Sequence, residues 1–147
     1  MSVIFGLLKE REGLVSESEL QCFAAPTRRY ATGIGSVYAR GRLGMGVHPY
    51  FSHQRSAMED RPVFDLYGHV LSFDGRLDNY EELADLVGID VYETSDSQIV
   101  LSAFAKWGEA CFSRFVGDWA LALWSERDQA LYLARDHAVT RTLYFLH

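Results

Sequence analysis

Cysteine is scarce in this 147-residue sequence: Cys22 and Cys111 are the only two, far apart and in stretches that read as helical. That excludes a disulfide framework and a thiolate zinc site, and leaves two buried, reduced thiols as the expectation. Histidine is thinly spread as well. His48 and His53 form the one close pair, and without acidic or thiol ligands beside them no metal is expected. Positive charge is sparse: the net charge is −6, and the basic clusters, Arg28-Arg29 and Arg40-Gly41-Arg42, hold two arginines each. No nucleic-acid partner is expected from such a surface. No apolar run approaches the roughly 18 residues that span a bilayer, and the start, MSVIFG, lacks the basic and long apolar regions of a secretion signal. The expectation is a cytoplasmic protein with no membrane association.

What is present is ordinary for a folded chain, with 48% hydrophobic and 23% charged residues. A length of 147 residues fits one domain, taken as 1–147. The run from Val3 to Leu8 predicts a strand buried on both faces. Ser16 with Glu19 reads as a capping box opening a helix with Leu20, Phe23 and Ala24, ending before Pro26. Two β-type runs between Gly33 and Pro49 meet at Gly41 as a hairpin, and a second hairpin joins 62–67 to 69–74 at Gly68. Asp78 with Glu81, and Ser95 with Gln98, read as the caps of two helices that end at Gly88 and Gly108. The runs 119–124 and 130–134 predict a hairpin buried on both faces, and Leu143 to Leu146 begin a further strand. Strands, then helices, then strands, without βαβ alternation, argue an α+β domain with antiparallel sheets.

The stretch 112–136, FSRFVGDWALALWSERDQALYLARD, resembles the N-terminal glutamine amidotransferase domain of the asparagine synthetase family. There a glycine leads into an apolar strand ending in Trp or Tyr, then an acidic turn, then a strand ending in Ala-Arg-Asp. Thr142-Leu143-Tyr144-Phe145 is similar to that family's Pro-Leu-Tyr-Tyr, the stretch 70–83 (VLSFDGRLDNYEEL) to its strand, Asn-Gly turn and helix, Thr94-Ser95-Asp96 to its Thr-Asp or Ser-Asp motif, and MSVIFG to its Met-Cys-Gly-Ile-Phe-Gly start. The resemblance implies an N-terminal-nucleophile hydrolase (Ntn-hydrolase) sandwich of two antiparallel sheets between helical layers, here C-terminally incomplete.

In that family the cysteine exposed by removal of the initiator Met attacks glutamine's side-chain amide, and its own α-amino group takes the proton. An unperturbed α-amino pKa of about 7.7 to 8.0 suits that task. By the resemblance Ser2 holds the nucleophile position, and a hydroxyl nucleophile there is chemically possible. The oxyanion hole implied is an Asn side-chain amide plus the following backbone N–H. Here the pair is Asp74-Gly75: Gly75 keeps its donor, and Asp74 puts a carboxylate where a donor is needed. Losing one such donor costs about 2.7 to 4 kcal/mol. Tyr50, in Val47-His48-Pro49-Tyr50, stands where an arginine is implied to clamp glutamine's α-carboxylate, with Arg55 nearby. Asp96, implied to hold the α-ammonium, is kept. As plain structure, Gly75 would serve a tight turn and Asp96 a helix terminus.

Three changes of five point to a degenerate, non-catalytic glutaminase-like domain of an ATP-dependent amide-forming enzyme. The family's cysteine-less branch, which includes β-lactam synthetases and lasso-peptide cyclases, is the nearest in its Phe73 to Asn79 phrase. The Ser-Gly-Gly-x-Asp-Ser loop that would cradle pyrophosphate does not occur in these 147 residues, so no cofactor is expected here. The expected partner is a synthetase domain or subunit, or a second copy through the C-terminal edge. The alternatives are an amidohydrolase using Ser2, with Asp74 contacting a cation, and a free-standing interaction module.

Overall fold

A computed structural model describes residues 2–10, 13–33, 35–52, 54–59 and 61–146. The chain divides into two compact units, Met1–Pro62 and Val63–His147.

The first unit holds β1 (Val3–Leu8), α1 (Glu17–Thr27), β2 (Ser36–Arg40) and β3 (Leu43–His48), the strands forming an antiparallel sheet in the order β1-β3-β2. The expected hairpin is β2–β3, turned by Gly41 at φ +58°, a left-handed conformation that costs glycine nothing. The run expected to be buried on both faces is β1, yet β1 is an edge strand of half-buried residues. The buried central strand is β3, whose pattern Leu-Gly-Met-Gly-Val-His is less apolar. Its glycines explain the choice: a Cβ at Gly44 would come within 2.6 Å of Val15 and 2.7 Å of Leu20, so the missing side chain lets α1 lie close.

The cap of α1 forms as predicted. The Glu19 N–H donates to Ser16 Oγ (3.3 Å) and the Ser16 N–H donates to Glu19 Oε2 (2.9 Å). The helix then runs through Pro26 to Thr27 rather than stopping before the proline. Pro26 lacks the N–H for the Cys22 carbonyl, but it sits in the last turn, where bonds are already fraying, and the Thr27 hydroxyl donates to the Ala24 carbonyl (3.0 Å). Cys22 is exposed on this helix, against the expectation of burial; Cys111 is buried, and burial pushes its thiol up to about 12.

The second unit contains β4 (Val63–Phe64), β5 (His69–Leu77), α2 (Tyr80–Val87), α3 (Asp96–Trp107), a 3-10 stretch (Gly108–Arg114), β6 (Gly117–Ser125) and β7 (Ala130–Arg135). The sheet is antiparallel in the order β4-β5-β6-β7. Alternation sends Leu71, Phe73 and Leu77 of β5 and Trp119, Leu121 and Leu123 of β6 to one face, where they meet Leu83 and Ala84 of α2 and Ile99, Val100, Ala103 and Phe104 of α3. Ser95 caps α3 with Gln98 as predicted, and Gly88 ends α2 at φ +80°. Asp78 does not cap α2. The cap residue is Asn79, whose side chain bridges the Arg114 carbonyl (3.0 Å) and the Val116 N–H (3.0 Å), while Asp78 pairs with Arg76 (2.7 Å).

In the last hairpin β6 is buried on both faces as expected, with Ala120 and Trp124 on the face opposite Leu121 and Leu123, but β7 is not. Leu121 and Leu123 are fully buried on the central strand β6, whereas Leu133 on the edge strand β7 is 39% exposed and Leu131 is half-buried. Their pairing with Ala122 and Trp124 puts Leu133 and Leu131 on the face away from the helices, while Tyr132 and Ala134 take the core side. Nor do Leu143 to Leu146 form a strand: the segment is irregular, and Tyr144, Phe145 and Leu146 are exposed. Among the described residues no helix is long and apolar enough to cross a membrane.

Two expectations follow for stability. Leu121→Ala or Leu123→Ala is expected to cost about 2 to 5 kcal/mol in denaturant unfolding, and Leu133→Ala about 0.5 kcal/mol or less. A large loss at Leu133 would contradict its exposure on the edge strand. Hydrogen bonds from Lys9 and Ser16 hold the Glu19 carboxyl down from 4.5 to about 2. A depressed carboxyl stabilises the fold above its unfolded value and loses that contribution as pH falls through the folded one. Glu19→Gln is therefore expected to lower the melting temperature at neutral pH, by an amount that shrinks as pH falls from the unfolded value toward and below the folded one.

Candidate active site

Ser2 and Tyr50 belong to the first unit. Val3 pairs with His48 across β1 and β3, so the residues just beyond that pair lie side by side. The Tyr50 N–H donates to Ser2 Oγ at 3.0 Å. The Tyr50 side chain is 40% exposed and offers a phenol, not the fixed positive charge a carboxylate clamp needs. Arg55 lies in a 3-10 turn, Gln54–Met58, and is half-buried. His48 is a core residue: it is buried, with Nε2 3.1 Å from the Ala24 carbonyl oxygen and its ring 5.3 Å from that of Phe5. Its partner in the histidine pair, His53, lies outside the described residues, as does Met1, whose removal the nucleophile would require.

Asp74, Gly75 and Asp96 belong to the second unit and gather about β5. Gly75 sits opposite Trp119 at φ +152°, and a Cβ there would fall 2.3 Å from the Asp118 carbonyl oxygen and 2.6 Å from Trp119 Cα. Only glycine fits. The tight approach marks a pair that exchanges no ladder bonds, in which the strands run closer. Two neighbours agree: the Asp78 N–H donates to the Val116 carbonyl (2.7 Å), and the Trp119 carbonyl accepts from the Asp136 N–H on the other side (2.8 Å). By alternation the Gly75 N–H is directed to the opposite edge of β5, beyond the reach of β4, which pairs only with Val70 and Leu71. Leu77, two residues on, shows the same direction: its N–H donates to Asp96 Oδ2 at 3.0 Å.

Asp96 is thereby engaged by the fold itself. It is 1% exposed, at the first position of α3, where a carboxylate is favoured by the helix N-terminus. Asp74 is buried on the face of β5 opposite the helix-covered core, and its Oδ2 lies 3.5 Å from Arg141 Nη1. Arg141 is held in turn by the Asp136 turn. Asp136 is buried after β7, and Thr140 donates to it through its hydroxyl (2.7 Å) and its N–H (3.2 Å), while the Trp119 N–H approaches at 3.4 Å. Burial pushes this carboxyl up, but the hydrogen bonds from Thr140, Trp119 and Arg141 together outweigh it and hold it below the ordinary range.

Sequence reasoning singled out Asp74, Gly75 and Asp96 separately, with Gly75 at a turn rather than inside β5, and missed Arg141 and Asp136. The signal was present as an Arg-Asp pair ending β7 with Thr140-Arg141 close behind, but a cation's partner across a sheet has no fixed spacing to read.

Residues 48–147 match the family described as glutamine amidotransferase domain. The chain is 28% identical over 109 residues to asparagine synthetase (glutamine-hydrolyzing) 3 of Bacillus subtilis, covering 67% of this chain and 18% of that protein. It is 22% identical over 126 residues to putative asparagine synthetase (glutamine-hydrolyzing) 2 of Methanocaldococcus jannaschii, covering 80% and 24%, and 35% identical over 106 residues to a putative asparagine synthetase (glutamine-hydrolyzing) of Mycobacterium bovis, covering 69% and 16%. The chain thus spans a quarter or less of the length of these curated relatives. With two antiparallel sheets, helices against each, and that match over its larger part, the chain belongs to the class II glutamine amidotransferase domains related to asparagine synthetases.

Proposed function

We propose that this domain does not hydrolyse glutamine and serves as a scaffold or partner subunit for an adenylating, amide-forming synthetase, as in the cysteine-less branch of the family. The observation that carries the reading is Asp74. At the position where the family's chemistry calls for an amide donor to a developing oxyanion, this chain has a buried carboxylate already paired with Arg141. A negative charge there opposes the charge that must form, and the neighbouring Gly75 N–H alone is half of an oxyanion hole. Tyr50 brings no cation for an α-carboxylate, and Asp96, the remaining recognition residue, is buried and accepts from the Leu77 N–H. The curated relatives are named glutamine-hydrolyzing, and the reading here differs from that name on the strength of Ser2, Tyr50 and Asp74.

The scaffold role draws on the end of the second unit. Tyr144 and Phe145 are 89% and 77% exposed and Leu146 fully so, an apolar strip of a kind that surfaces seldom leave uncovered without a partner. Docking of a synthetase domain or subunit on this strip is part of the proposal.

The purified chain is expected to release no ammonia from glutamine above the buffer rate, and Ser2→Cys alone is expected to restore none. Ammonia release abolished by Ser2→Ala would overturn the reading. For the strip, sedimentation at micromolar concentration is expected to show self-association or capture of an added synthetase subunit, lost in a Tyr144→Lys, Phe145→Glu double variant. A monomer that ignores the subunit and matches the double variant would remove the docking role.

A further inference from the structure

The segment after β7 is attached to its sheet at two points, and what it does there is separate from the sheet's own folding. The first attachment is Asp136, buried, its N–H donating to the Trp119 carbonyl and its carboxylate accepting from Thr140. The second is Arg141, whose Nη1 lies 3.5 Å from Asp74 Oδ2, with side chains only 21% and 8% exposed. Between them Val139 has φ +62°, a left-handed conformation that a β-branched residue adopts only when its surroundings impose it. Here the turn itself imposes it: the Val139 N–H donates to the Asp136 carbonyl (3.2 Å) and Thr140 donates to the Asp136 carboxylate, which sets Arg141 next to Asp74.

We infer that residues 136–141 form a strap that carries the Arg141 guanidinium to Asp74 and closes the inherited oxyanion position from inside the second unit. The inference rests on the reading of Asp74 given above. It also assigns the cation that a carboxylate at this position calls for: it is internal, so Asp74 is not held ready for a positively charged substrate group. Opening the strap would expose a buried carboxylate and part it from its guanidinium.

Amide hydrogen exchange of the full chain tests this without glutamine or any ligand, so its outcome is independent of whether the chain is a glutaminase. Exchange at Val139 and Thr140 is expected to quicken roughly tenfold in both Asp74→Asn and Arg141→Gln, with the double variant no faster than either single one. Amides of Leu121 and Leu123 in β6 serve as the reference and are expected to stay protected. Unchanged exchange at Val139 and Thr140 in the single variants, or effects that multiply in the double variant, would show that the two side chains are not coupled and overturn the strap. Equal acceleration in β6 would mean that the pair supports the whole unit rather than the strap, and would overturn it as well. Ammonia release from glutamine with the exchange pattern as expected would instead sink the functional reading and leave the strap in place.

Discussion

The close approach of β5 and β6 at Gly75 and Trp119 is the constraint on which the second unit turns. Where the backbones meet with no room for a Cβ, the Trp119 ring is free to enter the core on the helix side and stack edge-on against Phe115, 5.5 Å between centroids. The same register sends the Trp119 carbonyl toward Asp136 and leaves the Gly75 N–H on the opposite edge. The close pair at this glycine therefore bears on the core packing, the anchoring of the segment after β7, and the direction of the Gly75 N–H.

Charge around this register is satisfied inward. Asp96 accepts from Leu77, Asp136 from Thr140 and Trp119, and Asp74 faces Arg141. Buried carboxylates are costly unless paired or hydrogen-bonded, and each of these has partners from the chain itself. A substrate site must instead keep some charge unspent for its ligand. In this second unit Asp74, Asp96 and Asp136 each have a partner within the chain, and that pairing is the physical basis of the proposed loss of chemistry.

The elements were legible in the sequence wherever a local rule decides them. Ser16 with Glu19 and Ser95 with Gln98 cap their helices as read, because a capping box needs only residues three apart. Gly41 and Gly68 turn their hairpins for an equally local reason. Reading failed where the decision was made at a distance. Asp78 had the right spacing for a cap, but Arg76 took its carboxylate, and Asn79 was fixed by Arg114 and Val116, more than thirty residues away. The apolar runs of β1 and β7 read as central strands, yet position in a sheet is set by which strands pair, and both lie at edges.

By itself the sequence determined the α+β class and the family likeness, since each depends on residue type and short spacing, and through that likeness it drew attention to Ser2, Tyr50, Asp74, Gly75 and Asp96. Only tertiary structure decided what those residues do. That Gly75 is demanded by Trp119, that Asp96 accepts from Leu77, and that Asp74 has Arg141 beside it all follow from contacts between strands and segments remote in the chain. A carboxylate's meaning lies in its counter-ion, and a counter-ion sixty-seven residues away has no local signature.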